Sequence, residues 1–345
     1  MEKREKFVDI ARGISILLMI IGHNIDGGML RTFIYSFHMP LFIIVSGMFY
    51  KDKTLKNFLH DTIVKLFMPY MFCLLITDFC LFFKEASFLN IINEWLKQLI
   101  YSLSYVYKFK FSNVFLTGVL WFIPFLIAIK SIFYIVKKLF KNNKLYEYIT
   151  CSFLTIVGIG LGSLGYYLPF SLDVALACMF FYYIGYVSYS TNVLREVLNN
   201  KNIIIYMSII WIIGIINGNI EIAVRSYPNL VAYLAAICGS LVVLKFCNFL
   251  ETKKFFFNNF FEWCGKNSLY ILLIHHIEKE LLNFEFLNTK VEYMFIIEII
   301  VRISLDIISV YVLDKICKSI YIKYLKKNRN KFDVKEKEIE KVSCD

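Results

Sequence analysis

A cation and an imidazole, Arg12 and His23, stand eleven residues apart inside a stretch from Phe7 to Asp26 that is otherwise apolar enough to cross a bilayer. Both are costly in hydrocarbon, so ionisable residues at such a place are functional-site candidates by default. An imidazole can carry a proton near neutrality, and a guanidinium presents a planar fork of donors. At roughly 100° per residue, eleven residues return to within about 20° of the same helix face, and the rise sets the two side chains about 16 Å apart. They cannot touch, but they can line one cavity running through about half the membrane. Asp9 lies three positions before Arg12 and shares its face, where a carboxylate can orient and partly neutralise the guanidinium. A snorkelling pair at the membrane surface is the alternative. His23 is followed by Asn24, Asp26 and Gly27. An interfacial polar group is its alternative reading, and Asn24 is the adjoining candidate for contact with a substrate.

A second imidazole follows in the next apolar run, Phe33 to Gly47, where His38 falls about two turns below the outer surface. The short connection makes the two segments antiparallel neighbours, so His23 and His38 can approach at similar depth. Pro40 withholds a backbone donor beside His38 and is expected to loosen the helix there, letting a carbonyl face a cavity. Ser46 and Gly47 are small residues of the kind that let helices approach closely.

The elements that must position these groups follow from composition. Hydrophobic residues make up 58% of the 345 and the mean hydropathy is +0.60, which excludes an ordinary soluble domain. The pattern predicts an all-α, polytopic membrane bundle of about ten spans: 7–26, 32–50, 61–83, 114–137, 147–165, 170–189, 202–219, 229–249, 267–284 and 293–317. With the N-terminus inside, lysines and arginines concentrate in the cytoplasmic loops, as at Lys51–Lys56, Lys137–Lys144 and Lys253–Lys266, while the opposite loops are sparse. Both termini are therefore expected in the cytoplasm. Orientation and anionic lipid account for the net charge of +11 without nucleic acid. Residues 1–317 read as one membrane domain and 318–345 as a charged cytoplasmic tail, with no separate soluble domain. The segment 84–113 suits a helix or hairpin at the outer interface. The first span carries Asp9 and Arg12 and lacks a small-x-small cleavage site, so it reads as retained. The nine cysteines are scattered with no Cys-x-x-Cys pair, which reads as buried small hydrophobes rather than a disulfide or metal framework.

These residues together resemble a known family. Asp9-Ile10-Ala11-Arg12-Gly13, the spacing to His23, Phe37-His38-Met39-Pro40-Leu41-Phe42 and Ser46-Gly47 look like the opening of acyltransferase family 3 membrane proteins, closest to the sugar O-acetyltransferases related to fucose 4-O-acetylase. Leu120-Trp121-Phe122-Ile123-Pro124 resembles the family's central Leu-Trp-Phe segment, and Ser268-Leu269-Tyr270-Ile271 through His275 its late Ser-x-Tyr-x-x-x-x-His helix. The chain departs from some members in carrying no appended extracytoplasmic hydrolase-like domain and no Arg-x-x-Arg motif, which bears on acceptor choice more than on reaction type.

The resemblance implies a bacterial cell-membrane enzyme that transfers acetyl, or another small acyl group, from acetyl-CoA to a sugar hydroxyl of an envelope glycan or glycolipid, with no metal. The cytoplasmic lysines near Lys51–Lys56 and Lys253–Lys266 would meet the donor's phosphates, and its long uncharged arm would rise past Arg12. His23 would act as general base on the hydroxyl, with Arg12, Asp9 and His38 completing the catalytic set; direct transfer and an acyl-histidine both remain open. Trp121, His275 and Asn24 are the substrate-side candidates. Trp121 could equally be packing, and His275 a buried imidazole bonded to a carbonyl. In the last span Glu298, Arg302 and Asp306 share one face and predict an internal ion ladder, while Asp78 and Asp173 have no partner visible in sequence. Charged, Gly-broken spans also describe a carrier or flippase for a lipid-linked glycan. A membrane sensing or anchoring module is a third class.

Overall fold

The computed structural model describes residues 5–25, 27–82, 95–96, 98–100, 108–109, 112–113, 118–141, 143–218, 220–282 and 294–342. Its helices run in the order α1 (Lys6–His23), α2 (Gly28–Tyr35), α3 (His38–Met48), α4 (Leu55–Thr62), a π-helical turn (Ile63–Phe67) and α5 (Met68–Phe82). They continue as α6 (Phe122–Phe140), α7 (Lys144–Ser163), α8 (Leu172–Ala177), α9 (Met179–Ser190), α10 (Val193–Asn199) and α11 (Lys201–Asn217). The last four are α12 (Leu230–Lys253), α13 (Asn258–Lys266), α14 (Ser268–Leu281) and α15 (Met294–Val342). The all-α expectation holds. Within the expected interface segment 84–113, most of which lies outside the described residues, Lys108–Phe109 pairs antiparallel with Ser112–Asn113.

Five segments are long and apolar enough to cross a membrane: Gly28–Met48, Leu55–Cys80, Gly118–Phe140, Lys144–Ser163 and Leu230–Lys253. Two bent pairs, Pro169–Ala177 with Met179–Ser190 at 60° and Val193–Asn199 with Lys201–Asn217 at 87°, raise the number to seven. All seven fall on expected spans. The other three of the expected ten differ in charge or length: α1 carries Lys6, Asp9 and Arg12, α14 has 14 residues, and α15 carries Glu298, Arg302 and Asp306. Those three helices carry the ionisable groups Asp9, Arg12, His275, Glu278, Arg302 and Asp306. The backbone of α15 continues as helix through Val342, across most of the expected tail.

Close helix crossings set the frame. A Cβ at Gly13 would collide with the carbonyl oxygen of Phe261, and one at Gly265 with that of Asp9, so α1 and α13 meet backbone to backbone. Gly47 of α3 and Gly185 of α9 repeat the arrangement against the carbonyls of Tyr182 and Ile44. Small residues allow this approach, and dispersion between the tightly packed backbones holds it, because lipid offers helices no hydrophobic drive to associate. The small-residue reading of Gly47 is thus borne out. Two apolar clusters fill the remaining interior. One joins α3, α6, α9 and α12, and the other joins the C-terminal half of α1 to α5 and α14.

Some buried ionic groups are paired between segments. Lys137 of α6 holds Glu147 of α7 at 2.7 Å and donates to the Tyr186 hydroxyl at 2.7 Å. Asp173, which the sequence left without a partner, accepts from Arg225 Nε at 2.7 Å, with both side chains buried. The eight described cysteines are free and mostly buried. One local expectation is corrected: Pro40 does not loosen a helix beyond His38. The break lies earlier, at Ser36 and Phe37, and Pro40 sits in the first turn of α3, where no helical donor is needed.

The crossing contacts predict that Gly13→Ala and Gly185→Ala each destabilise the detergent-solubilised protein by about 1–3 kcal/mol, the range for overpacking a filled site. Thermal melts followed by size-exclusion recovery measure this, and an unchanged transition for either variant would contradict the close approach.

Candidate active site

Between the two apolar clusters runs a cavity of about 630 Å³, within the range of roughly 300–1,000 Å³ usual for small-molecule sites. Its open end is basic: Lys51, Lys53, Lys65 and Lys266 line it together with Asp61, which both Lys53 and Lys65 clasp. Lys266 is held at 2.5 Å by Glu262, and with Lys6 nearby it keeps that carboxyl below the usual range. The Ile63–Phe67 turn supplies Lys65 and Leu66, and π-turns of this kind often occur at functional sites. Farther in, the walls are apolar, with Ile16, Met19, Met39, Phe42, Trp121 and Phe122. His23 lines the same space.

Arg12 reaches the cavity from the middle of α1. Its Nη2 donates to Ser268 Oγ at 3.1 Å, and its Nη1 lies 3.8 Å from Asp9, a buried carboxylate one turn back. The guanidinium therefore joins α1 to the first residue of α14. Lys130 of α6 also lines the cavity. Sequence reading missed it because a single lysine in an apolar run gives no signal of where it points.

His23 is the last residue of α1. Its ring centroid is 6.3 Å from that of Tyr35 and 6.4 Å from that of His275. Tyr35 in turn packs edge-on against His38 at 4.9 Å. The structure thus brings His23, His38 and His275 into one neighbourhood, with Tyr35 between the first two. His38 is buried and its Nδ1 donates to the Ile34 carbonyl at 2.8 Å; since a carbonyl only accepts, Nδ1 carries the hydrogen. It does not line the cavity, whereas Trp121 does. Asn24 caps the end of α1, its Nδ2 donating to the Ile20 carbonyl at 2.7 Å.

His275 is completely buried, and its Nδ1 lies 2.9 Å from Asp306 Oδ2 and 3.5 Å from Glu278 Oε2. Glu278 is clasped by Arg302, which also takes Glu298 at 2.9 Å. The expected ladder on α15 is thus half right: Glu298 and Arg302 pair, but Asp306 engages His275. The Glu278 contribution had a signal, its i+3 spacing from His275. The Asp306 pairing, across 31 residues and two helices, had none. His275, Glu278 and Asp306 each offer a ligand atom within 4.8 Å of the others, so this group could hold an ion.

The lining predicts a labelling contrast on α3. In a cysteine-free background, Met39→Cys and Ser46→Cys should react with a small thiol reagent in detergent, while Ile43→Cys, on a fully buried position, should react at least about tenfold more slowly. Equal rates would mean that the cavity is not continuous along this helix.

No curated protein and no solved structure matches the chain. Residues 5–306, however, match the family model described as an acyltransferase domain. This match covers α1 with Arg12 and His23, the cavity walls, and α15 as far as Asp306, and the chain belongs to acyltransferase family 3.

Proposed function

We propose that this membrane acyltransferase moves an acetyl or similarly small acyl group from acyl-CoA to a hydroxyl of a cell-envelope or exported polysaccharide. The observation that carries this reading is the polarity of the cavity: lysines at its open end, an apolar middle, and His23 within. A CoA thioester has the same order of parts. Its anionic nucleotide suits Lys51, Lys53, Lys65 and Lys266, and Lys130 and Arg12 extend the positive field inward. The uncharged pantetheine arm suits the apolar walls. The thioester then reaches His23, which takes the proton of the acceptor hydroxyl as that oxygen attacks the carbonyl. Arg12, steadied by Asp9 and Ser268, faces the donor along the way, and Trp121 forms part of the wall against which acyl group or sugar packs.

The sidedness fits a cell membrane with both termini in the cytoplasm, where the donor is made, and with His23 toward the outer side, where the glycan is met. Lysine and arginine placement supports that orientation. The acceptor class rests on the sugar O-acetyltransferase resemblance of the motifs around Arg12, His38 and Trp121.

In detergent, where no compartments exist, the purified protein should consume acetyl-CoA and release free CoA when given envelope glycans, and label should appear in a base-labile ester. A carrier would show no turnover under those conditions. His23→Ala and Arg12→Ala should each lower the rate about 100-fold or more at near-normal abundance. Arg12→Lys should fail too, because an ammonium cannot reproduce the planar fork. Near-wild-type acylation by His23→Ala would remove the general-base role. Absence of turnover with authentic acceptors, together with His23-dependent movement of an unmodified glycan lipid across vesicles, would favour transport.

A further inference from the structure

We infer that Asp306, His275 and His23 form a proton-relay chain, in which His275 supports the cavity histidine from behind and Asp306 is the positioning residue that fixes His275; this rests on the acyltransferase reading above. Asp306 Oδ2 lies 2.9 Å from His275 Nδ1. A carboxylate only accepts, so Nδ1 carries a ring hydrogen, and in the neutral ring Nε2 then presents its lone pair. That Nε2 is buried and has no hydrogen-bond partner among the described residues. The neighbouring ring is His23, with centroids 6.4 Å apart and planes tilted by 37°. One bridging oxygen holding two hydrogen bonds of about 2.8 Å at a tetrahedral angle, plus about 1.1 Å from nitrogen to ring centre on each side, spans roughly 6–7 Å. The separation therefore suits a single water between the two imidazoles.

The charges around the pair favour a relay over a packing ladder. Arg302 Nε and Nη1 go to Glu298 and Glu278, so the ring's second acidic neighbour has its own counter-ion. Asp306, one turn beyond Arg302, places Oδ2 on the imidazole. His275 lies behind the cavity wall and His23 on it, so the chain runs from the bundle interior to the donor space.

The chemistry balances. As the acceptor oxygen bonds to the thioester carbonyl carbon, its proton passes to His23, and the positive charge gained there is stabilised through the bridging oxygen by His275 and Asp306. When the carbon–sulfur bond breaks, that proton leaves His23 for the CoA thiolate. An ester and a free thiol are the products, and both histidines return to their starting state.

The test compares wild type with Asp306→Asn, Asp306→Glu and His275→Gln in detergent, using acetyl-CoA as donor and a host-membrane glycan extract as acceptor, together with the rate at which bromoacetyl-CoA alkylates His23. Asp306→Asn should lower kcat about 100-fold while KM for acetyl-CoA stays within about threefold, and alkylation of His23 should slow about tenfold. Asp306→Glu, which keeps the carboxylate, should recover part of kcat. If Asp306→Asn does not fold, His275→Gln carries the same readouts. An unchanged kcat in the folded variant would overturn the relay. So would a loss seen only in abundance or KM with His23 alkylation intact. A stoichiometric metal that purifies with the protein and is lost in Glu278→Gln would overturn it in favour of an ion site at the same three residues. Failure of the wild type itself to turn over acetyl-CoA would remove the acyltransferase reading, whereas wild-type turnover with an indifferent Asp306→Asn removes the relay alone.

Discussion

The need to satisfy Arg12 inside the helix bundle constrains most of what surrounds it. A guanidinium inside a bundle is held where partners offset lost water, and here they come from α1 itself, through Asp9, and from α14, through Ser268. The second contact fixes where α14 begins against α1. That placement in turn sets the depth of His275, seven residues farther along α14, opposite His23 at the end of α1. One charged side chain therefore aligns two histidines that are 252 residues apart in sequence. The glycine crossing of α1 with α13 reinforces this alignment, because Gly13 and Gly265 touch the facing backbones directly.

The same constraint explains the unequal walls of the cavity. Where α3, α6 and α9 pack around Phe133, Tyr182 and Gly185, the interior is apolar and closely filled. Where α1, α14 and α15 meet, it is ionic, with contacts both within helices, as Arg12 with Asp9, and between them, as Arg302 with Glu278 and Asp306 with His275. Apolar packing tolerates little displacement, since backbone contacts at Gly47 and Gly185 leave no slack. Buried ionic contacts tolerate even less, because a carboxylate that loses its partner in hydrocarbon keeps its desolvation cost. A cavity bounded by both kinds of wall keeps its shape without a ligand.

Much of this was legible in the sequence. Arg12, Asp9 and His23 declared themselves because each stands in a long apolar run, where helical periodicity fixes relative facing. His38 followed from its place in the next apolar run, and Trp121 and His275 from motif resemblance; the structure sets the two histidines in the neighbourhood of His23 and Trp121 on the wall of the same cavity. Periodicity speaks only within one helix, however. It assigned Asp306 to Arg302 by four-residue spacing and had no means of finding His275 across 31 residues, nor Arg225 across 52 from Asp173. Lys130 was hidden for a related reason: whether a lone lysine faces lipid, protein or a cavity depends on neighbours that its own helix does not name. Pro40 was misjudged because the sequence showed an apolar run through Phe37, whereas the chain starts a new helix at His38 and uses the proline in its first turn.

The position of His23 at the end of its helix carries a further consequence for the chemistry. Mid-helix side chains are held by turns on both sides, but His23 is followed at once by Asn24, whose side chain closes the helix on the Ile20 carbonyl. The ring thus stands at the end of α1, near Tyr35 and His275, and lines the cavity. On the proposed reading, an acceptor would approach the imidazole from beyond the helix end, and a thioester would reach it along the apolar wall. A base proposed to serve two substrates entering from opposite directions would need such a boundary site, because a histidine one turn deeper would be reached by the donor alone.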